Sequence, residues 1–475
     1  FQEINKNAAT PSLRIGRKRK TAEIHDSKST SGLFFIKGTR TGRIRLKYEN
    51  YLPKEFGDRV LSCGEGEQLG HPGRLATRKP RAIDSLPEGK KIVQVVAGGV
   101  HSVILLEDGS IYTCGINEKG TAPAEGVEAE GSSDHLAPII FANLISQHGK
   151  IVMVAAGASF SAGLTDKGSV IAWGNLRGTS GCIESHKILV EMEEHPVVII
   201  DHKNRVIVKI AAGENHLVML SQYGELLTFG DGSMGQLGRS VRLTSIRSQQ
   251  MVDDSGISLL VSVKEKRKQK LVVFNDIMAG GYWTAARATD DRLFVCGLNN
   301  FGQLGVDLPE MDQLAKPEPE LRIMRPTVAV AFESYKINQL SGIHHIILLD
   351  DSVDFNLFLG DVYGIGKNTD NALGIGTWTG KDDDDHWRYT KPQKISLPKA
   401  SGVCAKLGCS VAWTSEGVAY SWGYDTSGQL GLGIKDDVDK IVPFPRKITS
   451  AHLDGYHILS CSIADNHTLF LAKKI

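Results

Sequence analysis

No disulfide framework or zinc site can be read from this chain. Its seven cysteines are odd in number, and none stands at CxxC or Cys/His ligand spacing. That pattern reads as free, buried thiols in a reducing compartment. No apolar run approaches the ~20 residues of a membrane span, so no membrane partner is expected. The N-terminal stretch is too polar for a secretory signal, and the Asn466-His467-Thr468 sequon is therefore expected to stay unglycosylated. No Ser-His-Asp set or acid pair stands out. "GEGEQLG" faintly resembles a phosphate loop, but no Lys-Ser/Thr follows it. Hydrolytic, metal-dependent and nucleotide-cradling chemistries are all poorly supported, and neither metal nor cofactor is expected.

Glycine is what the chain has in abundance, with 51 residues. Many recur in register, which directs attention to a repeat. Short apolar runs end in a closing glycine: "VLSCG", "IYTCG", "VIAWG", "LLTFG", "LFVCG", "LFLG" and "AYSWG", at Gly64, Gly115, Gly174, Gly230, Gly297, Gly360 and Gly423. The mean spacing is (423 − 64)/6, about 60 residues. Loops resembling "GQLG" follow four of them. A first half precedes each closing glycine, as in "VVAGGVHSVILLEDG", with its own glycine 17 positions earlier in four copies. In the seventh copy Lys406 takes that place. The last first half, "ILSCSIADNHTLFL", stands alone at the C-terminal end, and its matching second half, "VLSCG", stands near the N-terminal end.

Each half reads as a strand, four to eight residues rich in β-branched and aromatic side chains between Gly, Asp and Asn. "EDGS", "DKGS" and "SEGV" read as hairpin turns, where glycine supplies positive φ. The fold class expected is all-β, a seven-bladed β-propeller closed by pairing of N- and C-terminal strands. The offset cut leaves no open sheet edge where the ends meet. The residue before each closing glycine, Cys63, Cys114, Trp173, Phe229, Cys296, Leu359 or Trp422, is expected to fill one size-tolerant core position.

Charge divides the chain. Residues 1–48 hold 12 Lys+Arg and 3 Asp+Glu, so +9; the remainder holds 55 − 12 = 43 and 54 − 3 = 51, so −8. Residues 1–50 read as a mostly disordered basic tail, and 51–475 as the propeller. Arg17, Lys18, Arg19 and Lys20 form a compact cluster. It suits nuclear import, a nucleic-acid contact, or both, with a solubilising tail as the plainer reading. A basic insert at about 239–272 contains Arg242, Arg247 and "KEKRKQK"; a solvated insertion is its plainer reading. "DDDDH", Asp382–His386, reads first as a solvated loop and second as a cation site, with Trp378 and Trp387 placed to hold it. His101, His216, His345 and His467 recur at one repeat position. They read first as structural residues bonded between strands.

The repeat "VVAGGVHSVILLEDGSIYTCGINEKG" resembles the regulator-of-chromosome-condensation repeat, and the likeness runs from residue 58 to 475. The signatures of WD repeats are absent. Within that family, the basic lead and the insert after "GQLGR" resemble the chromatin-bound exchange factors for the small GTPase Ran. This resemblance implies several things. The chain would be a monomeric, nuclear guanine-nucleotide exchange factor that makes and breaks no covalent bond. Its partners would be Ran, the nucleosome with its histone acidic patch, DNA and a nuclear import receptor. A wedge that opens the GTPase would fall on "WGNLRGTSG", at Asn175, Leu176, Arg177, Gly178, Thr179 and Ser180. A Ran-binding face would include Glu67, Glu214, Asn215, His345 and His467. Nucleosome and DNA contacts would fall on Arg17–Lys20, Arg242 and Arg247. The chain departs from the family at Ala158, Phe160 and Asn215. The rival class is a propeller that docks proteins or chromatin without catalysing exchange.

Overall fold

A computed structural model describes residues 44–141, 143–178, 187–239, 260–264, 271–307, 321–351, 359–381 and 385–475. Seven antiparallel sheets stand around one axis, six of four strands and one of three. The three-stranded blade 4 has Leu260 bridged to Leu227 where a fourth strand would pair. Blades are numbered by their closing glycines. The inner strands, Tyr456–Ile463, Ile92–Ala97, Ile151–Ala156, Ile207–Ala212, Phe274–Gly280, Ile337–Gly342 and Ala400–Lys406, each neighbour the next around the ring. Blade 1 is the split one. Arg59–Glu65 pairs antiparallel with His467–Lys474, matching Gly64 with His467 and Arg59 with Ala472. Hydrogen bonds thus close the ring with residues from both ends of the chain.

The closing glycine has a geometric reason. At all seven positions φ is positive, from 94° at Gly174 to 120° at Gly64 and Gly297. A Cβ there would strike the carbonyl of the residue before the facing strand, such as Val100 at Gly115 or Tyr282 at Gly297. Glycine alone meets both demands. In blade 6 the residue that does so is Gly366, paired with His345 at φ 98°, and not Gly360. The core position before it is Ile365, fully buried, in place of Leu359. His345 and Gly366 are 21 positions apart where His101 and Gly115 are 14, so seven additional residues displaced the expected register.

The "GQLG" loops are couplings between blades. Gln68, Gln236, Gln303 and Gln429 are buried. The carbonyl of Gln68 accepts from Ser102 Oγ at 2.7 Å and Cys114 Sγ at 3.4 Å in the next blade. Gln236 repeats this with Thr284 and Cys296, and Gln429 with Thr468 and Cys63. The cysteines before the closing glycines are therefore small donors fitted to a neighbour's loop. All six cysteines among the described residues are free thiols, and burial pushes the Cys296 and Cys409 thiols up to about 12.

The propeller starts before residue 51. Ile44 and Leu46 are buried. Leu46 N–H donates to Gln222 O at 2.8 Å, and Tyr51 hydroxyl to Asn275 O at 2.6 Å. The boundary expected at residue 50 falls inside this docked segment. Gln222 lies in the turn between the strands His216–Ser221 and Leu226–Gly230, and Asn275 near the start of an inner strand, so the segment enters on one face of the ring. The turns after the inner strands and the loops that follow the closing glycines occupy the other face.

Candidate contact face

On that second face a belt of backbone hydrogen bonds links the turns around the axis. Gly99 N–H donates to Gly157 O (3.1 Å), Ala158 N–H to Glu214 O (2.8 Å), Glu214 N–H to Gly281 O (2.8 Å) and Gly281 N–H to Gly342 O (3.2 Å). The small residues let neighbouring backbones approach. At blade 7 the repeat glycine is replaced by Lys406, which forms an ion pair with Glu214 of blade 4. Both side chains are at most 15% exposed. Burial works against the Lys406 ammonium, but Glu214, Asp465 and Tyr282 outweigh it and hold its pKa above the ordinary value. Asp465 is raised by burial, against the pull of Lys406. Below this bridge a cavity of about 250 Å³ runs along the axis, lined by residues such as Gln94, Val154, Ile210 and Ser341.

Blade 3 carries the segment in which the wedge was expected. It leaves the strand Val170–Gly174 and enters no "GQLG" turn. Asn175 and Leu176 are 2% and 3% exposed. Asn175 N–H donates to Ser159 O at 2.7 Å, and Leu176 joins the core shared by blades 3 and 4. These two residues root the loop and are closed to a partner. Arg177 is half-buried, with Nη2 at 3.4 Å from Ser159 Oγ. Asn215 lies beside it: with its amide turned so that nitrogen faces acceptors, it donates to Arg177 O at 3.3 Å. Gly178 is described, whereas Thr179 and Ser180 lie outside the described residues. Arg177, Glu214 and Asn215 are thus brought together at the rim of the axis from two blades. Glu67 stands in the loop after the closing glycine of blade 1 on the same face, half-buried.

His345 and His467 do not belong to an open face, and the expectation that they contact a partner directly is corrected. They are 2% and 0% exposed. His345 Nε2 lies 3.0 Å from Ser410 Oγ and His467 Nε2 2.9 Å from Ser102 Oγ, each in the next blade. His101 and His216 do the same with Ser161 and Thr284. The hydroxyls of Ser102 and Thr284 already donate to glutamine carbonyls. They therefore accept from a histidine protonated at Nε2. All four rings staple one blade to the next. Burial lowers His101 to about 4 and His216, His345 and His467 to about 3.

The basic residues Arg17, Lys18, Arg19, Lys20, Arg242 and Arg247 lie outside the described residues. Arg239, where the insert begins, is structural: its Nε donates to Thr228 Oγ1 at 3.0 Å. No cluster suited to a metal ion occurs among the described residues. Sequence reasoning passed over the Lys406–Glu214 bridge. The one signal was a lysine where the repeat requires glycine.

The fold is a seven-bladed propeller with polar and charged side chains gathered at one rim. The chain belongs to the regulator of chromosome condensation family. The RCC1-like domain model matches residues 59–470. The regulator of chromosome condensation of Xenopus laevis is 31% identical over 422 residues, covering 88% of this chain and 90% of that protein. The guanine nucleotide exchange factor SRM1 of Saccharomyces cerevisiae is 26% identical, covering 81% and 80%. Among solved structures, yeast RCC1 (Prp20) bound to Kap60 superposes with a TM-score of 0.76 at 22% identity, covering 96% of this chain and 97% of that one. A second structure of Prp20p, described with its binding to Gsp1p and histones, superposes at 0.73 with 22% identity over 90% and 95%.

Proposed function

We propose that the protein is a chromatin-associated guanine-nucleotide exchange factor for the small GTPase Ran, acting in the nucleus. The observation that carries this reading is the loop after Gly174. It lacks the "GQLG" turn, its root is buried, and it sets Arg177 beside Glu214 and Asn215. A stiff root is what a wedge needs, because a loop that yields cannot hold a partner open.

The mechanism is linkage. If the propeller binds nucleotide-free GTPase more tightly than the nucleotide-bound form, nucleotide affinity must fall by the same factor. No bond is made or broken, and excess cellular GTP sets the direction of loading. Arg177 supplies the cation at the wedge root, where it can pair with a carboxylate uncovered in the GTPase. Chromatin contact is assigned to the basic tail and insert. Lys and Arg there would release counterions from DNA, and Arg242 and Arg247 suit the carboxylates of a histone acidic patch. A nuclear import receptor would take the same tail cluster. The segment at Ile44 docks on the face opposite Arg177.

The test is release of fluorescent GDP from Ran at catalytic concentrations of the full chain. Acceleration is expected, with Arg177→Ala lowering the plateau rate about tenfold, or ~1.4 kcal/mol. No acceleration by the unaltered protein would leave the docking propeller as the better reading.

A further inference from the structure

The contact face also holds an array of aromatic and cationic side chains on blades 5 and 6, away from the wedge. Lys367 and Arg388 are direct partners across adjacent antiparallel strands, so their side chains leave the same side of the sheet. Like charges placed opposite one another cost stability. Neither residue forms an ion pair among the described residues. Lys367 acts on Asp370: burial raises the Asp370 pKa and Lys367 opposes that rise.

Both cations instead lie over rings. Arg388 Cζ is 4.5 Å from the centre of Trp387, and Lys367 Nζ is 5.9 Å from that of Phe301. The rings form a row. Trp387 meets Phe301 edge-on at 6.0 Å, and Phe301 meets His344 at 5.4 Å. The row is anchored from behind. Asn368 N–H donates to Trp387 O at 2.6 Å, and Asn368 Nδ2 to His386 O at 2.9 Å. Trp387 is nonetheless 39% exposed. An exposed tryptophan and a half-buried arginine stacked on it are of the types that dominate protein interfaces. Their fixed geometry reduces the entropy lost on binding.

We propose that this row is the affinity anchor for the GTPase, an inference that rests on the exchange reading above. Phe301, His344 and Trp387 belong to the turns and loops of the face that carries Arg177, so one globular partner seated over the axis reaches both. The two cations select a partner surface bearing carboxylates, set beside an apolar or aromatic side chain that covers Trp387. The division of labour follows from position. The row is two to three blades from the wedge loop, so it fixes how tightly the partner sits. It does not touch the nucleotide site that the wedge would open.

The experiment is the rate of fluorescent GDP release against Ran concentration, with catalytic amounts of full-length protein. Trp387→Ala and Arg388→Ala are each expected to raise the half-saturating Ran concentration about tenfold with an unchanged plateau. Arg177→Ala is expected to lower the plateau instead. Thermal melts of each variant report folding, and Arg388→Ala keeps the test open if Trp387→Ala fails to fold. Unchanged half-saturation in a folded Arg388→Ala protein overturns the anchor while leaving the exchange reading intact. An inactive unaltered protein overturns both. Loss of binding to a fluorescent single-stranded oligonucleotide, with Ran half-saturation unchanged, would assign the row to nucleic acid and also overturn the anchor.

Discussion

A histidine ring sealed between two blades must be neutral, and that ties the stability of the ring to pH. His101 falls to about 4 and His216, His345 and His467 to about 3 in the folded protein, against an ordinary value of about 6.5. Between those values the unfolded chain binds more protons than the folded one. Stability therefore rises with pH across this window and is lost as pH falls below about 6.5. Acidification from 6.5 to 5 should cost up to about 2 kcal/mol for each such ring. The denaturation midpoint of the unaltered protein should drop over that range. His216→Gln should drop less, since glutamine can still reach Thr284 without titrating. Parallel curves for the two proteins would remove His216 from the account. The same burial explains why a position repeated in four blades was legible as structural. It also explains why two of the four were misplaced on a contact face: spacing reports that a residue recurs, but not whether its ring points into a seam or toward solvent.

At the level of elements, the turns around the axis are joined by backbone bonds from blade 2 to blade 6. Lys406 then reaches from blade 7 to Glu214 of blade 4. Removing one member of a buried pair leaves the other charge uncompensated and commonly costs about 3–5 kcal/mol. Lys406→Met should therefore destabilise the protein by roughly 3 kcal/mol. Combining Lys406→Met with Glu214→Gln should cost less than the sum of the single changes. Denaturant unfolding of the four proteins gives the coupling directly. Strict additivity would show that the bridge contributes nothing to the ring. The partners are 192 residues apart in sequence, so no local pattern announces them. The departure of the loop after Gly174 was more legible, because a missing "GQLG" turn shows in the sequence itself.

For the whole molecule, stability depends on where the ends are placed. Ile44, Leu46 and Tyr51 dock against blades 4 and 5, and Arg59–Glu65 closes blade 1. Deleting residues 1–43 should leave the melting temperature nearly unchanged. Deleting 1–52 uncovers apolar surface on the docked side and should lower it by several degrees, on the order of 1–3 kcal/mol for two buried aliphatic side chains. Deleting 1–66 removes the closing strand and should destabilise all seven blades together. Calorimetry of the three truncations separates these cases. Equal melting of the last two would mean that the end strand does not hold the ring.

The sequence by itself determined the repeat, its number and its offset cut. Closing glycines at forced positive φ, small residues at the axis and alternating strand runs are local demands, and local demands leave a mark at each copy. Blade 6 was the exception: an inserted stretch moved the closing glycine to Gly366, and an apolar run ending at Gly360 imitated it. Tertiary structure alone decided what the repeats do to one another. The glutamine loops bond the next blade, the histidines are stapled out of reach, Lys406 crosses the axis, and Lys367 stands opposite Arg388 over a row of rings. These contacts join residues tens to hundreds of positions apart. Their energy depends on burial and distance, and neither is a property of spacing along the chain.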